Sequence, residues 1–282
     1  QDAVRKVPCA HKLDAFNATV YTNTVKGIGQ LSVRLKDADI IVLIRERTAL
    51  NRSLLEKLPR LKLIVQTGRV GDHLDLNACT DLGIAVAAGT GSPYAAAELT
   101  WGLIMAASRR IPHYMANLRH GVWQQSGLKA SSMPPNFGIG TVLRGKTLGL
   151  WGFGQIGKLV AGYGKAFGMQ VLVGGSDRAR NEAAQLGYTP ALSQEQLFAD
   201  SDYLSLHLRL TPETRGTVRL EDLLRMKPTA TLVNTARAEL LQPDALITAL
   251  NRGRPGMAAI DVFENEPVLQ GHPRPREEPH GP

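Results

Sequence analysis

The sequence predicts an α/β protein of two doubly wound parallel-sheet domains. Three observations carry this. The chain has 282 residues, enough for two domains of ordinary size. Short β-rich runs alternate with helical segments in two separate series, the pattern of parallel sheets covered on both faces. Between the series lie a long apolar helix and a Gly/Ser/Pro-rich stretch. With 43% hydrophobic and 21% charged residues, global disorder is excluded. No apolar run approaches the roughly 20 residues of a membrane helix, so no membrane partner is expected. Two cysteines, Cys9 and Cys79, supply neither a disulfide framework nor a four-ligand zinc site. No metal is therefore expected, and a reducing cytoplasm is the simplest compartment. The chain opens on Gln1-Asp2-Ala3-Val4-Arg5, without an initiator Met and unlike a secretory signal.

The first domain, residues 1–93, starts with a helical pattern from Asp2 to about Phe16. Ala18–Thr22 reads as a strand, Gly27–Lys36 as a helix and Ile40–Ile44 as a buried strand. Ser53–Leu58 reads as a helix, Leu61–Gln66 as a strand, Leu74–Asp81 as a helix and Ile84–Ala87 as extended. This is a flavodoxin-like series lacking its first strand, which would leave neighbouring strands unpaired. The second domain, residues 94–269, opens with an apolar helix from Tyr94 to about Arg110, for which Pro112 is the stop signal. Gly127–Gly140 reads as a long surface arm. From Lys146 the second α/β series runs to Val262. Residues 270–282 have no hydrophobic side chain and four prolines, so a disordered or truncated tail is expected.

The net charge is +8. The basic residues are scattered (Arg45 and Arg47, Arg109 and Arg110, Arg252 and Arg254), with no zinc-finger spacing and no RNP-type aromatic motif. A nucleic-acid partner is therefore not expected. The plain reading of these arginines is a solvated surface, and the sharper one is a site for small anions, a carboxylate or a dinucleotide phosphate. The run Lys146–Trp151 reads as a strand and leads into Gly152-Phe153-Gly154-Gln155-Ile156-Gly157, a G-x-G-x-x-G, then a helix to about Phe167 and a strand Met169–Val173. Gly152 permits the tight turn, Gly154 lets the backbone approach a pyrophosphate, and Gly157 allows close helix–strand packing. The free N–H groups of Gln155, Ile156 and Gly157 at the helix start face the phosphates. In this strand–loop–helix–strand setting the loop predicts a Rossmann domain for NAD or NADP.

An acid about 20 positions on usually holds the adenosine ribose. Here Gly175 stands there, followed by Ser176, Asp177 and Arg178, with Arg180 nearby. A small residue beside arginines suits a 2′-phosphate and favours NADP. The alternative is that Asp177 reaches the ribose and the arginines are solvated.

Further segments carry a family resemblance. Leu206-His207-Leu208-Arg209-Leu210-Thr211-Pro212-Glu213-Thr214 resembles an H-x-P-x-T-P-x-T motif, with Arg209 where proline is usual. Val233-Asn234-Thr235-Ala236-Arg237-Ala238 resembles V-N-x-x-R-G, with Ala238 for glycine. Ala259-Ile260-Asp261-Val262-Phe263-Glu264-Asn265-Glu266-Pro267 resembles L-D-V-F-x-x-E-P. Gly68-Arg69-Val70-Gly71-Asp72-His73-Leu74-Asp75 is similar to G-x-G-V-D-N-V-D, and Ala96-Ala97-Glu98 to an A-E helix start. In this order the segments resemble the D-isomer-specific 2-hydroxyacid dehydrogenases, from about residue 17 to 269.

The resemblance implies reversible hydride transfer between a nicotinamide cofactor and a small D-2-hydroxy or 2-keto acid, in a cleft between the domains, and, since relatives commonly dimerise through the cofactor domain, a homodimer that buries part of the Trp101–Gly140 region. It implies that Arg237 binds the substrate carboxylate and carbonyl oxygen, and that Glu266 hydrogen-bonds the catalytic histidine. Asp261 would hold the nicotinamide amide. Thr235 and Ala236 would line the nicotinamide side, Leu208 and Arg209 the adenosine side. Arg69 and Val70 would offer backbone N–H groups to the carboxylate. The chemistry agrees: a guanidinium forks onto two oxygens, a histidine titrates in the range needed to protonate an alkoxide, and a neighbouring carboxylate raises its pKa.

The histidine is the weak point. The family places it on P-H-x-G after a further strand. Pro279-His280-Gly281 matches only superficially, with no strand between it and Glu266. His280 is the candidate donor on an unanchored tail. His272 is poorer, and His73 and His207 suit structure or cofactor contacts. With the absent first strand, this predicts weak turnover from a chain incomplete at both ends. The rival reading is a non-catalytic dinucleotide-binding sensor or interaction partner.

Overall fold

The computed structural model describes residues 10–23, 25, 27–44, 46, 48–121, 139–264 and 268. The chain divides into two compact units, Gln1–Ser92 and Pro93–Pro282.

Unit 1 begins, among the described residues, with a 3₁₀ turn Ala10–Leu13. The rest of the helix expected over Asp2–Phe16 is either outside the described residues or non-helical. Ala18–Thr22 is not a strand. A lone β-rich run has no ladder for its N–H and C=O groups, and this one is held by side chains instead. The Tyr21 hydroxyl donates to the Arg34 carbonyl at 3.2 Å, the Arg34 guanidinium lies 4.4 Å from the Tyr21 ring centroid, and it donates to the Asn23 carbonyl.

Then follow α1 (Ile28–Leu35), β1 (Ile40–Leu43), α2 (Arg52–Leu55), β2 (Leu63–Gln66), α3 (Leu76–Asp81) and β3 (Ala85–Ala88). Asn51 caps α2 and Asp75 caps α3 through their side-chain oxygens, as short polar residues before an apolar run should. The strands pair in parallel in the order β1-β2-β3. Ile41, Leu43 and Ile64 join Leu31, Leu54, Leu55 and Cys79 in one core. Strand β1 is not buried on both sides as expected: Ile40 and Val42 are about half exposed while Ile41 and Leu43 are buried. Period-2 alternation sends them to the other face, which the described helices leave open.

Unit 2 starts with α4 (Tyr94–Ser108) and α5 (Ile111–Arg119). Pro112 does not stop α4. It sits in the first turn of α5, where a missing N–H costs nothing, and the break falls at Arg110, whose φ is 57°. Most of the expected Gly127–Gly140 arm, and the tail from residue 270, lie outside the described residues.

The second series is β4 (Thr147–Trp151), α6 (Gln155–Ala166), β5 (Gln170–Gly174), α7 (Asp177–Gln185), β6 (Thr189–Pro190), α8 (Gln194–Asp200), β7 (Tyr203–Leu206), α9 (Leu220–Arg225), β8 (Thr231–Asn234), α10 (Ala245–Asn251) and β9 (Met257–Ile260). All pairings are parallel, in the order β6-β5-β4-β7-β8-β9. Alternating strand residues feed two cores. Val171, Val173, Leu148 and Leu150 meet α4 and α6 through Ala97, Ile104, Val160 and Ala161. Leu172, Leu204, Leu206 and Leu232 meet α8, α9 and α10 through Phe198, Leu223 and Ala249. This is the expected doubly wound Rossmann sheet, and its parallel strands bring their carboxyl ends to one edge.

Candidate active site

Along that edge the sheet order fixes which loops are neighbours. The glycine loop follows β4, Leu208 and Arg209 follow β7, Thr235–Arg237 follow β8, and Asp261 follows β9. Gly152 has φ +106°, and a Cβ there would lie 2.7 Å from the His207 carbonyl oxygen. A Cβ on Gly157 would lie 2.5 Å from the Gly152 carbonyl oxygen. Both glycines are therefore required by the backbone itself. Gly154 differs: φ is −79°, and no heavy atom lies within 4 Å of a Cβ. It N-caps α6 without any side-chain cap. The open space and the uncapped N–H groups of α6 fit a dinucleotide pyrophosphate.

His207 lies under this loop. Its ring nitrogen Nε2 is 3.0 Å from the Ser205 hydroxyl. The residue keeps some exposure, but burial of the imidazole pushes its pKa down to about 4. A neutral, enclosed ring suits a structural role, one of the two, with cofactor contact, that the sequence leaves open.

At the adenosine end, Gly175 directly follows β5 with φ +134°, a conformation side chains rarely adopt. Ser176 caps α7, accepting from the Ala179 N–H. Asp177 stands in the first turn of α7 and pairs with Arg180. Arg178 lines a surface depression with Asn181, Glu182 and Gln185. Arg209 is exposed, and neither it nor Arg178 forms an ion pair among the described residues. Leu208 packs against the α8–α10 core.

The β8 turn is tightly built. Asn234, 1% exposed, accepts from the Ala236 N–H at 3.0 Å and donates to the Arg237 carbonyl at 2.9 Å. Its own carbonyl accepts from the Asp261 N–H, joining the β8 and β9 loops. Thr235 Oγ1 lies 2.7 Å from Thr100 Oγ1 on α4. Arg237 projects from this turn, exposed, and donates to the Ala236 carbonyl at 2.7 Å. Asp261 is exposed. Glu266, His272 and His280 lie outside the described residues. Sequence reasoning quoted Asn234 without giving it a role and missed Thr100. The legible signal was a threonine within the apolar middle of that helix, between Leu99 and Trp101.

In unit 1, Arg69 and Val70 sit in the loop after β2. A hydrogen bond between the Gln66 amide oxygen and His73 Nε2, at 3.1 Å, joins its two sides. The Gly89 N–H is shared by the carbonyls of Gln66 and Gly68. Arg69 is exposed, and Val70 packs partly against the core.

A doubly wound parallel sheet with an open glycine loop on its first strand defines a dinucleotide-binding protein of the α/β oxidoreductase class. Residues 101–279 match the family described as D-isomer specific 2-hydroxyacid dehydrogenase, NAD binding domain. A glyoxylate reductase of Aeropyrum pernix is 40% identical over 85% of this chain and 70% of its own length. A D-3-phosphoglycerate dehydrogenase of Methanocaldococcus jannaschii is 38% identical over 84% of this chain, which spans 44% of that protein. Among solved structures, a candidate D-3-phosphoglycerate dehydrogenase of Ralstonia solanacearum superposes with a TM-score of 0.91 at 60% identity, over 96% of this chain and 81% of that one. A D-lactate dehydrogenase of Aquifex aeolicus, solved with NAD and lactic acid, gives 0.74 at 31% identity, over 91% and 73%. The chain belongs to the D-isomer specific 2-hydroxyacid dehydrogenases, a family of nicotinamide-dependent oxidoreductases. Neighbours named as enzymes do not favour the reading as a non-catalytic sensor.

Proposed function

We propose that this chain interconverts a small 2-keto acid, of the size of glyoxylate or hydroxypyruvate, and its D-2-hydroxy acid. The observation that carries the reading is the shared edge: Gly154, Leu208, Thr235, Arg237 and Asp261 all follow the carboxyl ends of strands in one parallel sheet. A nicotinamide cofactor held here would be the source of the hydride. The backbone N–H groups of residues 155–157 would hold the pyrophosphate, Thr235 and Ala236 would line the nicotinamide, and Asp261 would take its carboxamide. Arg237 forks onto the substrate carboxylate and carbonyl oxygen, aligning the keto carbon and offsetting charge as the alkoxide forms. By resemblance, Glu266 orients the histidine that protonates the alkoxide, for which His280 is the candidate in this chain.

The finer assignments rest on the same residues. NADP suits the adenosine end, because Gly175 leaves room and Ser176, Arg178 and Arg209 can face a 2′-phosphate. A homodimer suits α4 and α5. Tyr94, Leu99, Ile111, Met115 and Leu118 are all about half exposed, and α5 buries no residue. A cytoplasmic location accords with Cys79 being a free, buried thiol.

The test is steady-state reduction of glyoxylate, hydroxypyruvate and pyruvate by the parent and Arg237→Lys. A lysine cannot fork, so KM for the keto acid should rise about 10–100-fold, the equivalent of losing one charge-assisted hydrogen bond. Unchanged KM would remove Arg237 from the substrate site.

A further inference from the structure

Thr100 is fully buried in α4, and its hydroxyl donates to the Ala96 carbonyl at 2.8 Å. A hydroxyl carries one proton. At its 2.7 Å contact with Thr235 Oγ1, Thr100 must therefore accept, and Thr235 must donate. The proton of Thr235 is committed inward, and only lone pairs remain for a ligand. The backbone around Thr235 is fixed as well, because the Asn234 side chain bridges Ala236 N–H and Arg237 C=O. Thr235 itself is only partly buried.

We infer that Thr100 is a positioning residue that makes Thr235 an obligate hydrogen-bond acceptor for the carboxamide N–H₂ of the nicotinamide. This rests on the reading above that the β8 turn faces the nicotinamide. An acceptor-only oxygen matches an amide nitrogen, which can only donate. It would take one N–H of the amide while Asp261 takes the other, and with the carboxamide oxygen left to other donors the two acceptors favour one rotamer of the amide. Without Thr100, the Thr235 hydroxyl could turn its proton outward, and that selection would be weakened.

The experiment measures dissociation constants for three probes: NADH, reduced 3-acetylpyridine adenine dinucleotide and ADP-ribose. The acetylpyridine analogue has a methyl group in place of the amide nitrogen, and ADP-ribose has no nicotinamide. Thr100→Val keeps the shape of a buried side chain and removes the hydroxyl. It should weaken NADH about three- to tenfold, the range of one neutral hydrogen bond. The acetylpyridine analogue and ADP-ribose should bind as to the parent. Thr100→Ser should restore NADH. Thr235→Val should give the same selective loss, and the double variant no more than either single one. If Thr100→Val weakens all three probes together, weakens none, or is not rescued by serine, the inference is wrong. Failure of the parent to bind ADP-ribose would instead overturn the dinucleotide site itself, and the inference with it.

Discussion

Replacing Gly154 by valine separates binding from folding. No heavy atom lies within 4 Å of the new Cβ, and φ at −79° suits any residue. The fold should therefore ignore the change. The branched side chain would stand in the space before the first turn of α6, where N–H groups have no side-chain cap. Charge-assisted hydrogen bonds contribute about 1.5–3 kcal/mol each. Losing two of them to the pyrophosphate removes about 3–6 kcal/mol, so affinity should fall roughly 10²–10⁴-fold. Titration of NADH fluorescence reads the affinity, and a thermal melt reads the fold. Gly152→Ala is the counterpart. At φ +106°, with a Cβ 2.7 Å from the His207 carbonyl oxygen, it meets both strain and collision. The conformational part alone costs about 1–2 kcal/mol, and each kcal/mol lowers Tm by about 2–4 °C in a domain of this size. Parent-like NADH affinity in Gly154→Val, or a melt lowered as far as that of Gly152→Ala, would refute the reasoning.

Other outcomes follow from the same geometry. His207 has a folded pKa of about 4 against an ordinary 6.5, so the unfolded chain binds its proton first as pH falls. Its stabilising contribution is complete above pH 6.5 and is lost on the way down to about 4, on the order of 2–3 kcal/mol. Denaturant melts of parent and His207→Gln at pH 7 and 4.5 should show a smaller loss in the variant. For the adenosine end, NADPH should bind at least as well as NADH, and Arg178→Ala should weaken NADPH about tenfold while sparing NADH. A strong NADH preference in the parent would return the ribose to Asp177. For assembly, sedimentation should show a dimer at micromolar concentration, and Met115→Glu with Leu118→Glu should shift it to monomer.

Much of the fold was legible because its signals are local. The glycine loop announced β4, the turn and α6 together, and alternation of β and helical runs announced a parallel sheet. Ala18–Thr22 misled because β-propensity says nothing about a partner strand, and without one the run is held by Tyr21 and Arg34 instead. Pro112 misled because proline ends one helix and begins another with equal ease. At the candidate site, Gly154 was readable through its strand–loop–helix setting, whereas Arg237 was readable only through the family resemblance, since an arginine after a strand has many other roles. The Thr100–Thr235 contact was not, since it joins residues far apart in sequence through two ordinary hydroxyls.

The left-handed Gly175 has a bearing on how the cofactor end could change over time or by design. A carboxylate at this position would be the obvious single substitution toward ribose binding. Here the backbone forbids it until the β5–α7 corner itself relaxes from φ +134°. The Ser176 cap fixes the start of α7 at that corner. The one-step variant thus carries strain before it gains a contact, and any change in how this end meets a ribose has to pass through the corner's shape before its chemistry.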